Sequence, residues 1–170
     1  MRLRRGATLD IPRFVQQTTT MANTYTYLRY HVVFSTKRRE PWLRPEIQER
    51  ARAYLGGIAR QNEMRAILIG GMADHVHMLL SLPPAIAVSE ALKQIKGGSS
   101  GWIKENLPGC RGFGWQDGYG AFTASKSQVP EVEDYIRNQA EHHRMRTFQE
   151  EYRALLVRHE IEYQERYLWD

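Results

Sequence analysis

The apolar residues of this chain change their spacing in a fixed order, and that order narrows the fold more than any single motif does. Residues 24–36, TYTYLRYHVVFST, alternate Leu28, Tyr30, Val32 and Phe34 against Arg29, His31 and Val33, the two-residue period of a strand with two distinct faces. In residues 43–62, LRPEIQERARAYLGGIARQN, the period lengthens. Pro45 suits a first helical turn, and Ile47, Ala51, Tyr54, Leu55 and Ile58 share one helical face. Gly56 and Gly57 weaken that helix by about 1 kcal/mol each relative to alanine, so close packing is expected there.

Period two returns in RAILIGG (65–71) and ADHVHMLLSLP (73–83), with GGMAD able to turn the chain between them. Residues 89–109, SEALKQIKGGSSGWIKENLPG, predict a second helix, with Ser89 as N-cap, Leu92, Ile95 and Ile103 facing inward, and Pro108-Gly109 as the stop. A fourth strand is expected over Tyr119 to Ser125. A helix then opens at Pro130 in VPEVEDYIRNQAEHHR (129–144), and a capping box of Thr147 and Glu150 starts another. The order βαββαβα plus a helical tail predicts an α+β chain. Its sheet is antiparallel and ferredoxin-like (split βαβ), with helices on one face.

At 170 residues the chain suits one domain with a single core. The lone Cys110 cannot form an internal bridge and no run of about 18 apolar residues occurs, so a disulfide scaffold and a membrane span both lack support; the expected compartment is a reducing cytoplasm. Residues 1–22 have arginines and polar residues without the apolar core of a secretory signal, and predict a disordered extension; Met21 is an alternative start. The catalytic unit is expected over 23–146, with 147–170 a helical tail packed on the domain or on a partner subunit. Residues 1–130 hold 18 Lys and Arg against 9 Asp and Glu, whereas 131–170 hold 6 against 10, so the basic part is the candidate nucleic-acid surface.

Within ADHVHMLLSLP, His75 and His77 point to the same strand face. Two roles fit a bare His-x-His: imidazoles converging on one divalent ion, or polar side chains facing solvent on a half-buried strand. Asp74 reads as a turn residue, and His142 and His143 as helix C-terminal residues facing the dipole. On the helix after Pro130, Val132, Tyr135, Ile136, Gln139, Ala140 and His143 form one stripe. Tyr135 and Gln139 are neighbours on it, and Val132, Ile136 and Ala140 are its anchors. Cations and aromatics offer a surface for DNA. Lys37, Arg38 and Arg39 follow the first strand, and Arg29, Lys93, Lys96 and Lys126 are further phosphate partners. Tyr25, Tyr27, Trp115 and Tyr119 are candidates for stacking on unpaired bases, although such aromatics also suit a core.

The segments HVVFSTKRREPWL, ADHVHMLLSLPP, IKGGSS, WQDGYGAFTAS and YIRNQAEHHR, in that order, resemble the single-tyrosine HUH transposases, the TnpA type of small single-strand insertion sequences. The resemblance covers residues 24 to about 168. It implies an HUH nuclease fold, a divalent metal, single-stranded DNA substrates folded into hairpins, a covalent 5′-phosphotyrosine intermediate and a homodimer. Carried over by motif, it places the metal-binding pair on His75 and His77, the nucleophile on Tyr135, and the third ligand on Gln139. Two imidazoles and an amide oxygen leave open positions on Mg²⁺ or Mn²⁺, and the sequence does not choose between them. The alternatives are an HUH nickase for replication or mobilisation, and a domesticated protein that holds DNA hairpins without cutting them. A histidine-triad hydrolase is disfavoured because HVHML lacks a third alternating histidine.

Overall fold

Antiparallel pairing of β1 (Arg29–Ser35) with both β3 (His75–Ser81) and β4 (Gly120–Thr123) puts the first strand inside a four-stranded sheet. Its order is β2-β3-β1-β4, with β2 (Arg65–Gly71) outside β3. The crossovers run through α1 (Pro45–Gln61) and α2 (Val88–Asn106), and each passes over one strand of opposite direction, which is the split βαβ arrangement the sequence predicts. The computed structural model describes residues 24–169. The extension predicted over residues 1–22, and the choice of start, lie outside the described residues. Among them, no helix is long and apolar enough to cross a membrane.

The alternation in β1 sorts its side chains as expected. Val32 and Phe34 join Val76, Met78 and Leu80 beneath α1 and α2, whose Leu55, Leu92, Ile95 and Ile103 are almost wholly buried. Each such side chain stabilises the fold by roughly 1.5–3 kcal/mol relative to an exposed position. Both crossover helices lie on this face. The opposite face is covered as well, by α3 (Val129–Arg137) and α5 (Phe148–Arg158). Val33 and Phe122 pack against Phe148, Tyr152, Leu155 and Leu156, while Leu79 meets Val129 and Ile136.

Several local expectations change. Helix α2 starts at Val88 with Ala87 in the cap position and no side-chain cap bond, so Ser89 is not its N-cap. A Cβ on Gly56 would meet Ile69 at an ordinary 3.6 Å and one on Gly57 would meet nothing, so these glycines do not mark close packing. The helix expected over 129–144 breaks at Asn138 (φ −95°, ψ 20°) and restarts as α4 (Gln139–Met145), which turns Ala140 out to solvent instead of anchoring it. The capping box forms: the Thr147 side chain accepts from the Glu150 N–H, and the Glu150 side chain accepts from the Thr147 N–H. In the tail Tyr152, Leu155 and Leu156 are buried, whereas Ile161, Tyr163 and Tyr167 remain exposed.

One glycine sets how closely the tyrosine helix approaches the sheet. Gly70 stands opposite His77 in the ladder, and a Cβ there would lie 2.6 Å from both the Cγ2 and the carbonyl oxygen of Ile136. Without a side chain at 70, the backbone of α3 lies against β2. Tyr135 is the residue before Ile136.

Candidate active site

Strand β3 is buried along nearly its whole length, so His75 and His77 have no solvent to satisfy their ring nitrogens and must find partners in the protein. Both are fully buried, which excludes the solvent-facing role that a bare His-x-His allowed. His75 Nδ1 lies 2.7 Å from Asp74 Oδ1. An ionised carboxylate only accepts, so Nδ1 donates and, in the neutral ring, Nε2 carries the lone pair. On the adjacent strand His31 Nε2 lies 2.9 Å from His77 Nδ1, again fixing one nitrogen and directing the other, Nε2, into the site. Asp74 and His31 thus orient the pair, as outer partners orient the imidazoles of metal sites. Asp74 is more than the turn residue the sequence suggested.

Helices α3 and α4 bring the other two predicted residues to the same place. The ring of Tyr135 is 5.7 Å from that of His77, edge to face, and 5.8 Å from that of His31. Gln139 is buried despite the break at Asn138. Its amide nitrogen donates to the Tyr135 carbonyl at 3.3 Å and to Glu151 Oε1 at 3.0 Å. The amide oxygen therefore faces His75 Nε2, at 3.4 Å.

Glu151 on α5 is the centre of the polar cluster, and sequence reading did not single it out. Its Oε1 accepts the Tyr135 hydroxyl and lies 3.5 Å from His77 Nε2, while Oε2 lies 2.9 Å from His143 Nε2. Burial opposes ionisation of this carboxyl, but the close imidazoles of His143 and His77 outweigh it and hold Glu151 well below the usual carboxylate range. Tyr135 moves the other way. Burial, reinforced by the negative charge of Glu151, raises its phenol well above the ordinary value. The available signal for Glu151 was its place in the α5 pattern Phe148, Glu151, Tyr152, Leu155, where one carboxylate interrupts an apolar stripe. His143 belongs to this cluster and does not merely face a helix dipole.

The donor set fits a divalent cation. Three of the four buried side-chain polar atoms without a hydrogen-bond partner, among the described residues, are His77 Nε2, His143 Nε2 and Glu151 Oε2, all at this one site. Ligating atoms of His75, His143 and Glu151 lie within 4.8 Å of one another. His75 Nε2 and the Gln139 amide oxygen, 3.4 Å apart, set two further potential ligand atoms side by side. A cavity of about 540 Å³ adjoins the cluster; Tyr135 and Glu151 reach it, and Arg146 and Arg158 line it.

The predicted DNA contacts separate into two groups. Lys37, Lys93, Lys96 and Tyr119 line one groove of about 700 Å³ between α2 and the loop before β4, joined by Lys104. This groove reaches the end of the sheet that carries the histidines, because Lys37 follows Ser35 by two residues and Ser35 pairs with His75. Lys96 donates to the carbonyls of Asp117 and Gly118 at 2.9 and 2.8 Å, and burial lowers its pKa to about 8. Trp115 is only 6% exposed, packed edge-on against Phe34 and Phe113, with its indole N–H donated to Ser99. Trp115 borders the same groove, but with so little of its ring exposed it serves as core and not as a stacking platform, which corrects its assignment as a stacking residue. Arg29 lies over the Tyr27 ring at 4.4 Å, Arg39 faces Trp169, and Arg38 and Lys126 are exposed away from the groove lining. Tyr25 is fully open to solvent.

Residues 24–139 match the family described as "Transposase IS200 like". The ISDra2 transposase TnpA of Deinococcus radiodurans is 33% identical over 123 residues, covering 68% of this chain and 86% of that protein. The transposase for insertion sequence element IS200 of Salmonella typhimurium is 30% identical over 131 residues, covering 74% of this chain and 85% of its own. A crystal structure from Deinococcus radiodurans R1, described as a candidate transposase, superposes with TM-score 0.59 at 27% identity, covering 70% of this chain and 95% of that one. The REP-associated tyrosine transposase bound to a REP hairpin superposes with TM-score 0.54 at 16% identity, covering 72% and 74% respectively, and so speaks for the fold alone.

Proposed function

This chain belongs to the IS200-like transposase family, and from that membership we propose that it cuts and rejoins single-stranded DNA at the ends of a mobile element, with Tyr135 as nucleophile. The observation that carries this reading is the meeting of a phenol and two imidazoles inside one chain: the Tyr135 ring is 5.7 Å from His77, which is 5.1 Å from His75.

In the proposed reaction the Tyr135 oxygen attacks the scissile phosphorus. A bond forms between phenolic oxygen and phosphorus as the bond to the 3′ oxygen breaks, so the 5′ side of the cut stays on the protein and a 3′-hydroxyl leaves. Glu151 holds the phenol by accepting its hydrogen bond; on attack the phenolic proton is lost to solvent and the 3′ oxygen takes one up from solvent. A 3′-hydroxyl from another end reverses the step, and strands are exchanged without ATP because the phosphodiester energy is kept in the tyrosyl linkage. His75, His77 and Gln139 would hold Mg²⁺ or Mn²⁺, which when bound supplies positive charge against the charge developing on the phosphate. The cavity beside Tyr135, with Arg146 and Arg158, offers room and charge for the nucleotide at the cut.

The groove of Lys37, Lys93, Lys96 and Tyr119 is the proposed seat for the rest of the DNA, its cations meeting phosphates and its aromatic a base. A structural neighbour was solved on a hairpin, and a hairpin is the substrate form we assign here. The phenol and both imidazoles meet within one chain, which supports a cut made in cis, and a homodimer would bring two such centres together for exchange.

The test is incubation with labelled single-stranded DNA from the flanks of the encoding gene, with Mg²⁺, Mn²⁺ or EDTA, read on denaturing gels. The chain should form a metal-dependent covalent adduct that Tyr135→Phe abolishes while hairpin binding persists. An undiminished adduct in Tyr135→Phe removes the nucleophile assignment. Hairpin binding with no cutting by the unaltered protein would favour a binding protein instead.

A further inference from the structure

Everything needed for the family's catalytic motifs is complete at Gln139, where the family match ends, yet the side chain at the centre of the site comes later. We propose that Glu151 of α5 is itself a ligand of the divalent ion, so that the ion is held by two imidazoles and a carboxylate as well as the Gln139 amide. This deepens the proposed function and rests on its metal site.

Three independent features of the geometry point to it. First, Glu151 is 6% exposed, and a buried carboxylate is tolerated only when its charge is compensated. Its nearest cationic partner is the half-buried His143, and the 2.9 Å approach of His143 Nε2 to Oε2 lacks the alignment of a directed hydrogen bond. Second, His77 Nε2 is fully buried, has no hydrogen-bond partner, and lies 3.5 Å from Glu151 Oε1. A nitrogen and a carboxylate oxygen sharing one ion sit about 3 Å apart, since each bond to the ion is about 2.1 Å. Third, His75 and Glu151 ligating atoms fall within the 4.8 Å span that also includes His143. Atoms on opposite sides of one ion are about 4.2 Å apart, so small movements bring the set together.

The carboxylate tightens the hold on any divalent ion, and the two imidazoles set which ion is preferred. Mg²⁺ favours oxygen donors and keeps several waters, whereas two imidazoles with a carboxylate suit Mn²⁺ and its heavier neighbours. Ligation also offsets the negative charge against which the Tyr135 hydroxyl is held, so one side chain links occupancy of the site to readiness of the nucleophile. His143 then acts as a positioning residue, holding the second carboxylate oxygen.

The experiment is calorimetric titration of the metal-free full chain with Mn²⁺ and with Mg²⁺, without DNA, on the unaltered protein, Glu151→Gln and His75→Ala, with folding checked by circular dichroism. One Mn²⁺ should bind per chain, at least tenfold more tightly than Mg²⁺. Glu151→Gln should weaken Mn²⁺ tenfold or more, and His75→Ala should weaken it at least as much. If His75→Ala loses Mn²⁺ but Glu151→Gln binds within twofold of the unaltered protein, the role of Glu151 is overturned and the histidine site stands. If the unaltered protein takes up neither ion, the metal reading of the function falls with it. Should Glu151→Gln fail to fold, Glu151→Asp replaces it. Drawing the carboxylate back by one methylene weakens Mn²⁺ at least threefold if it is a ligand, and unchanged affinity overturns the proposal.

Discussion

His31 Nε2 approaches His77 Nδ1 to 2.9 Å across the β1–β3 ladder, so a histidine outside the His-x-His motif decides which nitrogen of His77 enters the site. Burial, with the neighbouring His77 adding to it, lowers the His31 pKa to about 3. Burial likewise lowers His77 to about 4, against the opposing pull of the nearby Glu151 carboxylate.

These two rings should make the metal-free protein acid-labile. Above about pH 6.5 neither the folded nor the unfolded chain protonates them; below it the unfolded chain gains protons that the folded chain refuses, so stability falls as pH falls. His143, raised mainly by the Glu151 carboxylate 2.9 Å away, acts in the opposite sense, stabilising at low pH and losing that effect as pH rises through its folded value. The His31 contribution is isolated by His31→Gln, which keeps a hydrogen-bonding group for His77. Melting temperature in EDTA should drop less steeply from pH 6.5 to 4 in this variant than in the unaltered chain, and equal slopes would refute the assignment.

Gly70→Ala should act on catalysis through packing. Its methyl would overlap both Cγ2 and the carbonyl oxygen of Ile136, forcing α3 off the sheet at a cost of about 1–3 kcal/mol. Urea unfolding should show that loss, and adduct formation should fall more than tenfold while hairpin affinity changes less than twofold. Adding Ile136→Ala should not restore the adduct, because the overlap with the backbone oxygen remains.

Lys37 and Lys93 are tested by salt. If each meets a phosphate, its alanine variant should bind hairpin DNA more weakly and flatten the slope of log affinity against log salt by about 0.7–0.9. Lys126→Ala, on a side chain outside the groove, should leave the slope unchanged; a loss equal to that of Lys93→Ala would move the DNA path.

Lys96 adds a dependence on alkalinity. Its pKa of about 8, set by burial, means the groove loses a positive charge as pH rises from 7 to 9. Hairpin affinity should fall over that range, and Lys96→Arg, which stays charged, should remove most of the fall. A profile unchanged by this variant would exclude Lys96 as the titrating group.

The sheet and its crossovers were legible because Val32, Phe34, Met78 and Leu80 announce their faces by alternation, and His75, His77, Tyr135 and Gln139 by motif. The break at Asn138 was not legible, since apolar spacing continues through it in the sequence and only Ala140, turned to solvent, betrays the change of direction. Trp115 misled because an aromatic among glycines and cations reads the same whether its ring meets a base or Phe34. Glu151 and His31 act across distances of 12 to 46 residues in sequence, and spacing rules built on one helix or one strand do not reach that far.

The family match to this chain ends at Gln139, but the apolar strip of Val33 and Phe122 is roofed by α5. A chain clipped at that boundary would retain His75, His77, Tyr135 and Gln139 and present bare strand surface, an invitation to self-association. Catalytic strands and roof consequently fold as one unit, and a chimera that joins these strands to a tail without a matching apolar face should be recovered as aggregate.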